Sequence, residues 1–228
     1  MNEWLPSDDV SAIASLSDPT RRSLFNLVCE SSSAVGRDEA AAALGIPRAT
    51  VAFHLDRLVE ARLLESEFQR SAGRTGPGAG RPAKYYRRAT AEIVVTLPER
   101  HYDLAADLLS SAVEKSDRTG EPVRQALMRV SLERGRALGR EAGSFDAVLQ
   151  ATGYEPRNDG EGGVVLTNCP FGQLSKNHAE TICQANLALL QGALLGAGEI
   201  EHEIYFEPAE MRCCVRLVAT SGGAHQPC

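Results

Sequence analysis

Residues Ala41–Ser66 read AAALGIPRATVAFHLDRLVEARLLES, and the fold turns on what this run becomes. Arg37–Ile46, RDEAAAALGI, is Ala-rich and predicts a short helix closed by Gly45. Pro47 then suits the opening of a second helix. In that helix Val51, Leu55, Leu58 and Val59 recur at i, i+4, i+7 and i+8, which predicts one buried stripe. Arg48, Ala49, Thr50, Phe53, His54 and Arg57 fall on the other faces, toward the N-terminal end. A short helix, a tight turn and a second helix that opens on small and basic residues form a helix-turn-helix pattern. The second helix of such a pair lies in the major groove, its early residues on base edges and phosphates. The stripe is also what plain packing would need. His54 serves equally well as a core or capping histidine. Arg57 and Arg62 have Glu60 and Glu65 as nearby ion-pair partners.

The flanks extend the pattern. Upstream, Ala12–Ser31 carries Leu24, Leu27 and Val28 at helical spacing, with Asp18–Pro19 as cap and first-turn proline. Downstream, Leu63–Arg70 (LLESEFQR) alternates like a strand, SAGRTGPGAGRPA is a Gly/Pro-rich loop, and Lys84–Arg88 (KYYRR) returns as a second strand. From Arg70 to Arg88 there are six basic residues and no acidic one. Two strands with a basic tip form a wing, and Arg74, Arg81 and Lys84 are its candidate contacts to the backbone or minor groove.

The segments LSDPTRRSLFNLV and TVAFHLDRLVEARLL give residues 10–90 a resemblance to the winged-helix DNA-binding domain of ArsR-type and DeoR-type bacterial repressors. The resemblance implies double-stranded operator DNA as the partner. Operators of this kind are paired half-sites, so a homodimer is expected.

The whole chain has 228 residues, 43% hydrophobic and 24% charged, enough for one large or two modest domains. Of the net charge of −6, residues 1–90 contribute +1 and residues 91–228 contribute −7, so the two parts face different partners. An acidic total still permits DNA binding when the cations share a face. The most apolar run, Leu187–Gly198, is too short for a membrane span. The acidic start MNEWLPSDDV has no apolar signal core, and a cytoplasmic protein is expected. Six cysteines in a reducing compartment point to buried thiols, redox sensing or metal ligands rather than a disulfide framework.

Beyond the wing, helices are predicted from near Pro98, over Glu121–Gly143 and over Phe145–Tyr154. Their stripes are Leu104, Leu108, Leu109 and Val113, then Val123, Leu127, Val130 and Leu138. These helices are candidates either for a dimer interface or for covering the C-terminal part of the same chain. A strand at Gly162–Phe171, a helix at His178–Gly198 and strands at Glu199–Pro208 and Cys213–Ala219 complete an α+β fold. The domains are then a winged helix-turn-helix at 1–92, a helical linker and dimerisation region at 93–143, and a cysteine-containing α+β sensor at 144–228.

Cys169 sits at a strand end, Cys183 in the first turns of a helix, and Cys213 and Cys214 at a strand start. Ends of elements can converge, whereas mid-element residues mostly pack. Zinc prefers close CxxC pairs, and none occurs. An iron–sulfur cluster tolerates wider spacing and often has proline after a ligand, as in Cys169–Pro170. Buried inert cysteine is the plain alternative, and it is preferred for Cys29 and for Cys228 in the tail SGGAHQPC.

The layout of NCPF, a cysteine-bearing helix and a cysteine-led last strand resembles the SufR-like branch of winged-helix repressors. The resemblance implies an iron–sulfur cluster, 4Fe-4S or 2Fe-2S, on Cys169, Cys183 and Cys213. It also implies repression of cluster-assembly or redox and iron stress genes. Strand alternation would let only one of Cys213 and Cys214 point into the site. Some members carry another cysteine where LLGAGEI stands here, which leaves the fourth ligand open among His178, Cys214, a carboxylate and an exogenous group. Two rivals remain: a regulator whose thiols sense oxidants or whose C-terminal domain binds a small ligand, and an enzyme using Cys169 and His178 as nucleophile and base. The enzyme has no identifiable orienting partner and leaves the winged helix unexplained.

Overall fold

A computed structural model describes residues 7–69, 82–209 and 212–220. The chain divides into two compact units, Met1–Thr96 and Leu97–Cys228. The first begins with α1 (Ser7–Ser15) and α2 (Pro19–Glu30). The carboxylate of Asp18 accepts the Arg21 amide at 2.9 Å, and Pro19 occupies the first turn, as the sequence predicts. A two-residue strand β1 (Val35–Gly36) leads into α3 (Arg37–Leu44). Gly45 ends α3 with φ of 66°, a left-handed turn that glycine adopts without strain. Helix α4 (Arg48–Glu60) follows, then β2 (Leu64–Gln69) and β3 (Ala83–Arg88). These strands form an antiparallel sheet in the order β1-β3-β2. Val51, Leu55 and Leu58 are fully buried and join Leu24, Val28 and Tyr86 in one core. Val59, the last of the predicted stripe, is only partly buried.

The second unit starts with α5 (Tyr102–Thr119), α6 (Val123–Ala142) and α7 (Phe145–Ala151). Next come β4 (Pro156–Asn158), β5 (Gly163–Leu166), α8 (Gly172–Asn177), α9 (Ala179–Ala197), β6 (His202–Phe206) and β7 (Val215–Ala219). The sheet is antiparallel throughout, in the order β4-β5-β7-β6. Helix α9 is the centre of the unit. Ile182, Ala185 and Leu189 pack with Ala105, Leu108 and Leu127 of α5 and α6. Leu190, Ala193 and Leu194 pack with Leu166, Val215 and Leu217 of the sheet.

Several boundaries differ from the sequence prediction. The helix expected near Pro98 begins at Tyr102, and the last strand begins at Val215 rather than Cys213. Neither α8 nor β4 is anticipated: six residues show no helical period, and Pro156–Asn158 is wholly exposed, without alternation. Val113 and Val123, assigned to buried stripes, are 48% and 46% exposed. The buried side of α6 is instead Ala126, Leu127, Ser131, Gly135 and Gly139.

That run of small residues has a mechanical cause. A Cβ on Gly135 would stand 1.9 Å from the Leu189 carbonyl oxygen, and one on Gly139 would stand 2.2 Å from that of Ala193. From the other helix, a Cβ on Gly192 would meet the Leu132 oxygen at 2.2 Å, and one on Gly196 the Arg136 oxygen at 2.2 Å. The backbones of α6 and α9 touch, and no side chain fits between them. Gly135→Ala and Gly192→Ala should therefore each destabilise the second unit by at least about 1–3 kcal/mol, the usual cost of overpacking. Urea unfolding followed by circular dichroism measures this; an unchanged midpoint in both variants would show the helices free to separate.

Candidate functional site

Helix α4 presents the predicted contact residues much as its periodicity requires. Arg48, Ala49, Phe53 and Arg57 are exposed, and Thr50 and His54 are half-buried. Phe53 is 55% exposed, a large apolar surface on the helix. The Arg57 guanidinium lies 5.5 Å from its ring centre and the His54 ring stands edge-on at 5.3 Å. Arg57 pairs with Glu60 at 3.0 Å and Arg48 with Asp38, exposed contacts that a phosphate can displace at little cost. Arg62 pairs with Asp8 and Asp9 at 3.4 Å rather than with Glu65. Arg74 and Arg81 lie outside the described residues.

Lys84 has a different environment from the one expected of a wing contact. Its Nζ donates to Asp56 Oδ1 at 2.7 Å, and its side chain is only 22% exposed. The same carboxylate accepts from Arg37 at 2.8 and 3.0 Å and from the Tyr86 hydroxyl at 2.8 Å. Arg37 also donates to the Tyr86 oxygen at 2.7 Å. Asp56 of α4 thus joins α3 and β3. Burial disfavours its ionised form, but the bonds from Lys84 and Tyr86 and the Arg37 charge outweigh this and lower its pKa. Burial and the bond to Asp56 push the Tyr86 hydroxyl up to about 12, so it stays protonated and donates.

In the second unit all four cysteines named from the sequence come together. Cys169, Cys183, Cys213 and Cys214 line one cavity of about 500 Å³. Cys169 is carried on the loop after β5, which residues 99–101 hold. Arg100 Nη1 donates to the Cys169 carbonyl at 3.0 Å and to Asn168 Oδ1. Asn168 Nδ2 donates to the Gly153 carbonyl at 2.7 Å and that of Glu99 at 3.1 Å, and the His101 amide reaches the Pro170 oxygen at 3.0 Å. Cys183 is the fifth residue of α9. Cys213 donates its amide to the Leu166 carbonyl at 2.8 Å, and the Cys214 carbonyl accepts from the Glu207 amide at 2.8 Å. Because these two precede β7, strand alternation does not separate them: both are buried and both line the cavity. His178 does not line it; it is exposed at the junction of α8 and α9.

The Cys214 thiol donates to the Cys183 carbonyl at 3.9 Å. The neighbouring Cys213 and burial push the Cys169 thiol well above its ordinary value. Cys169 lowers Cys213, but Cys214 and burial prevail and raise it to about 12. Cys183 beside it and burial take Cys214 to about 12 as well. Cys183, beside Cys214, is lowered. Among the described residues no three His, Cys, Asp or Glu side chains stand as a single-ion site would require. Four thiols on one cavity are nonetheless the soft sulfur donor set that thiophilic metal centres take. Its described lining also holds Arg100, Lys176 and Arg212, the last paired with Glu207.

Sequence reasoning missed the polar supports of this cavity. Asn186 is fully buried in α9, and its Nδ2 donates to Cys213 Sγ at 3.1 Å. The hydroxyl of buried Tyr154 donates to Asn186 Oδ1. Burial raises the Tyr154 pKa well above 10, which keeps that donor protonated. A lone Asn inside ICQANLALL, a helix apolar on nearly every side, is the signal that could have marked it.

A family model described as a helix-turn-helix domain, of ArsR type, matches residues 16–67, the span from before α2 into β2. A DNA-binding domain there is consistent with a transcriptional regulator rather than an enzyme. No curated protein and no solved structure matches the chain. Among the described residues no helix is long and apolar enough to cross a membrane.

Asp56 gives a pH-dependent prediction. Its pKa is below 3.8 when folded, so its bonds contribute in full above 3.8 and are lost as pH falls through the folded value. Asp56→Asn should cost about 1–2 kcal/mol near neutrality, a charge-assisted figure discounted for partial exposure. Urea midpoints of the two proteins should converge as pH falls below 3.8 and through the lowered folded value. A gap that stays constant with pH would mean the carboxylate charge contributes nothing.

Proposed function

We propose that this protein is a cytoplasmic transcriptional repressor, acting as a homodimer on two-fold operator DNA, whose operator affinity is set by an iron–sulfur cluster. The ligands in this proposal are Cys169, Cys183, Cys213 and Cys214, with Cys214 rather than His178 in the fourth position. The observation that carries it is the convergence of four thiols from three separate elements on one cavity, in a chain that also holds a helix-turn-helix. A bound cluster supplies an oxidant-sensitive centre whose loss unlinks the elements that hold it. The chain's own residues do the rest: Arg100 and Asn168 fix the Cys169 loop, α9 carries Cys183, and the amide of Cys213 and carbonyl of Cys214 tie that pair to the sheet and its β6 end. Operator affinity then changes only by as much as the cluster favours one arrangement of the dimer over the other. The expected targets are genes of cluster assembly or of redox and iron stress.

A thiol-based oxidant sensor is the second reading, favoured by the Cys183–Cys214 contact and the lowered Cys183. Cys213 and Cys214 are buried and Cys169 is half-buried, however, and all three thiols are raised, which is the environment of inert rather than reactive cysteine. Anaerobic purification separates the two. The cluster requires a coloured protein with iron and sulfide, and Cys→Ser at any of the four positions should lower the iron content. A colourless, iron-free protein with unchanged operator binding defeats it, and oxidant-dependent binding in that protein supports the sensor.

At the DNA, Phe53 and Arg57 are the side chains proposed to meet base edges and backbone. Phe53→Ala should weaken operator binding by roughly 1–3 kcal/mol. Lys84→Ala should change it little, since Asp56 already engages that ammonium. Equal losses in a gel-shift titration at fixed salt would reverse this ranking.

A further inference from the structure

We infer that Asn186, oriented by Tyr154, is a positioning residue that donates a hydrogen bond to the Cys213 sulfur and so tunes the cluster proposed above. The inference rests on that proposal. Asn186 is entirely buried, with its amide nitrogen 3.1 Å from Cys213 Sγ. Packing alone does not need an amide here. An apolar residue such as leucine favours helices more and leaves no buried polar group to satisfy.

The orientation of the amide is determinate. A metal-bound thiolate accepts and cannot donate, so it must meet the N–H side of the amide. The carbonyl side is then turned toward Tyr154, whose hydroxyl donates to Oδ1. Tyr154 is 4% exposed, and water does not compete for that bond. The two residues come from different elements: Asn186 from α9 and Tyr154 from the segment after α7. The Tyr154–Asn186–Cys213 chain therefore aims a donor at one sulfur before anything binds.

Hydrogen bonds to the sulfurs are among the factors that set a cluster's reduction potential. An N–H donor stabilises the more negative, reduced form more strongly, so its presence raises the midpoint. Groups that orient ligands from behind also support retention, with losses of roughly 10–100-fold in metal affinity when they are removed.

The test compares the wild-type chain with Asn186→Leu and Tyr154→Phe, all purified anaerobically. Iron and sulfide per chain, dye-mediated redox titration and melting of the cluster-free forms are measured on each. The expected result is a midpoint shifted negative in Asn186→Leu, with a smaller shift in the same direction in Tyr154→Phe. Iron-loaded variants with the wild-type midpoint overturn the inference and leave the cluster proposal standing. An iron-free wild type overturns both. If Asn186→Leu does not fold, Tyr154→Phe decides, since it removes one hydroxyl. Loss of iron from Tyr154→Phe with unchanged melting of the cluster-free form also counts against tuning and assigns the pair to retention alone.

Discussion

The second unit depends on the contact of two helix backbones. Gly135 and Gly139 of α6 and Gly192 and Gly196 of α9 bring carbonyl groups to where side chains normally stand. The spacing of four residues on each helix repeats that contact once per turn. Everything chemically interesting in this unit hangs from α9. Cys183 and Asn186 ride on it directly, and the sheet that ends near Cys213 and Cys214 packs on its other side. A helix so firmly seated gives these side chains fixed positions beside thiols that are otherwise carried on loops.

Much of this fold is readable from residue order. The helix-turn-helix follows from the stripe Val51, Leu55, Leu58 and from Gly45, because a core side chain and a left-handed turn each demand one residue type. The four cysteines could be picked out because they sit at the ends of elements. What was not readable depends on distance between elements. Glycines within LALLQGALLGAG look like helix weakeners until α6 lies against them. Val113 and Val123 look buried until small residues take the inward face of each helix. The pairing of Cys213 with Cys214 was hidden by a strand boundary displaced by two residues. Asn186 belonged to no motif, and only its sulfur and hydroxyl partners explain it.

Charge tells a similar story in the first unit. A count of basic residues overstates how many cations are free to meet DNA. Arg37 and Lys84 are committed to Asp56, whereas the exposed pairs of Arg48, Arg57 and Arg62 are weakly held. Among the described residues, the exposed surface of α4 around Phe53 and Arg57 combines apolar and charged groups in a single turn of helix.

The Asp56 hub has one more consequence. A carboxylate on α4 is shared by residues of α3 and of the returning strand β3. The helix is thereby tied to the base of the sheet, and a tilt of one is passed to the other through these bonds. Under the DNA-reading proposed above, grip on the sugar–phosphate track and inspection of base edges would then be coupled events, both sensitive to a local distortion of the duplex.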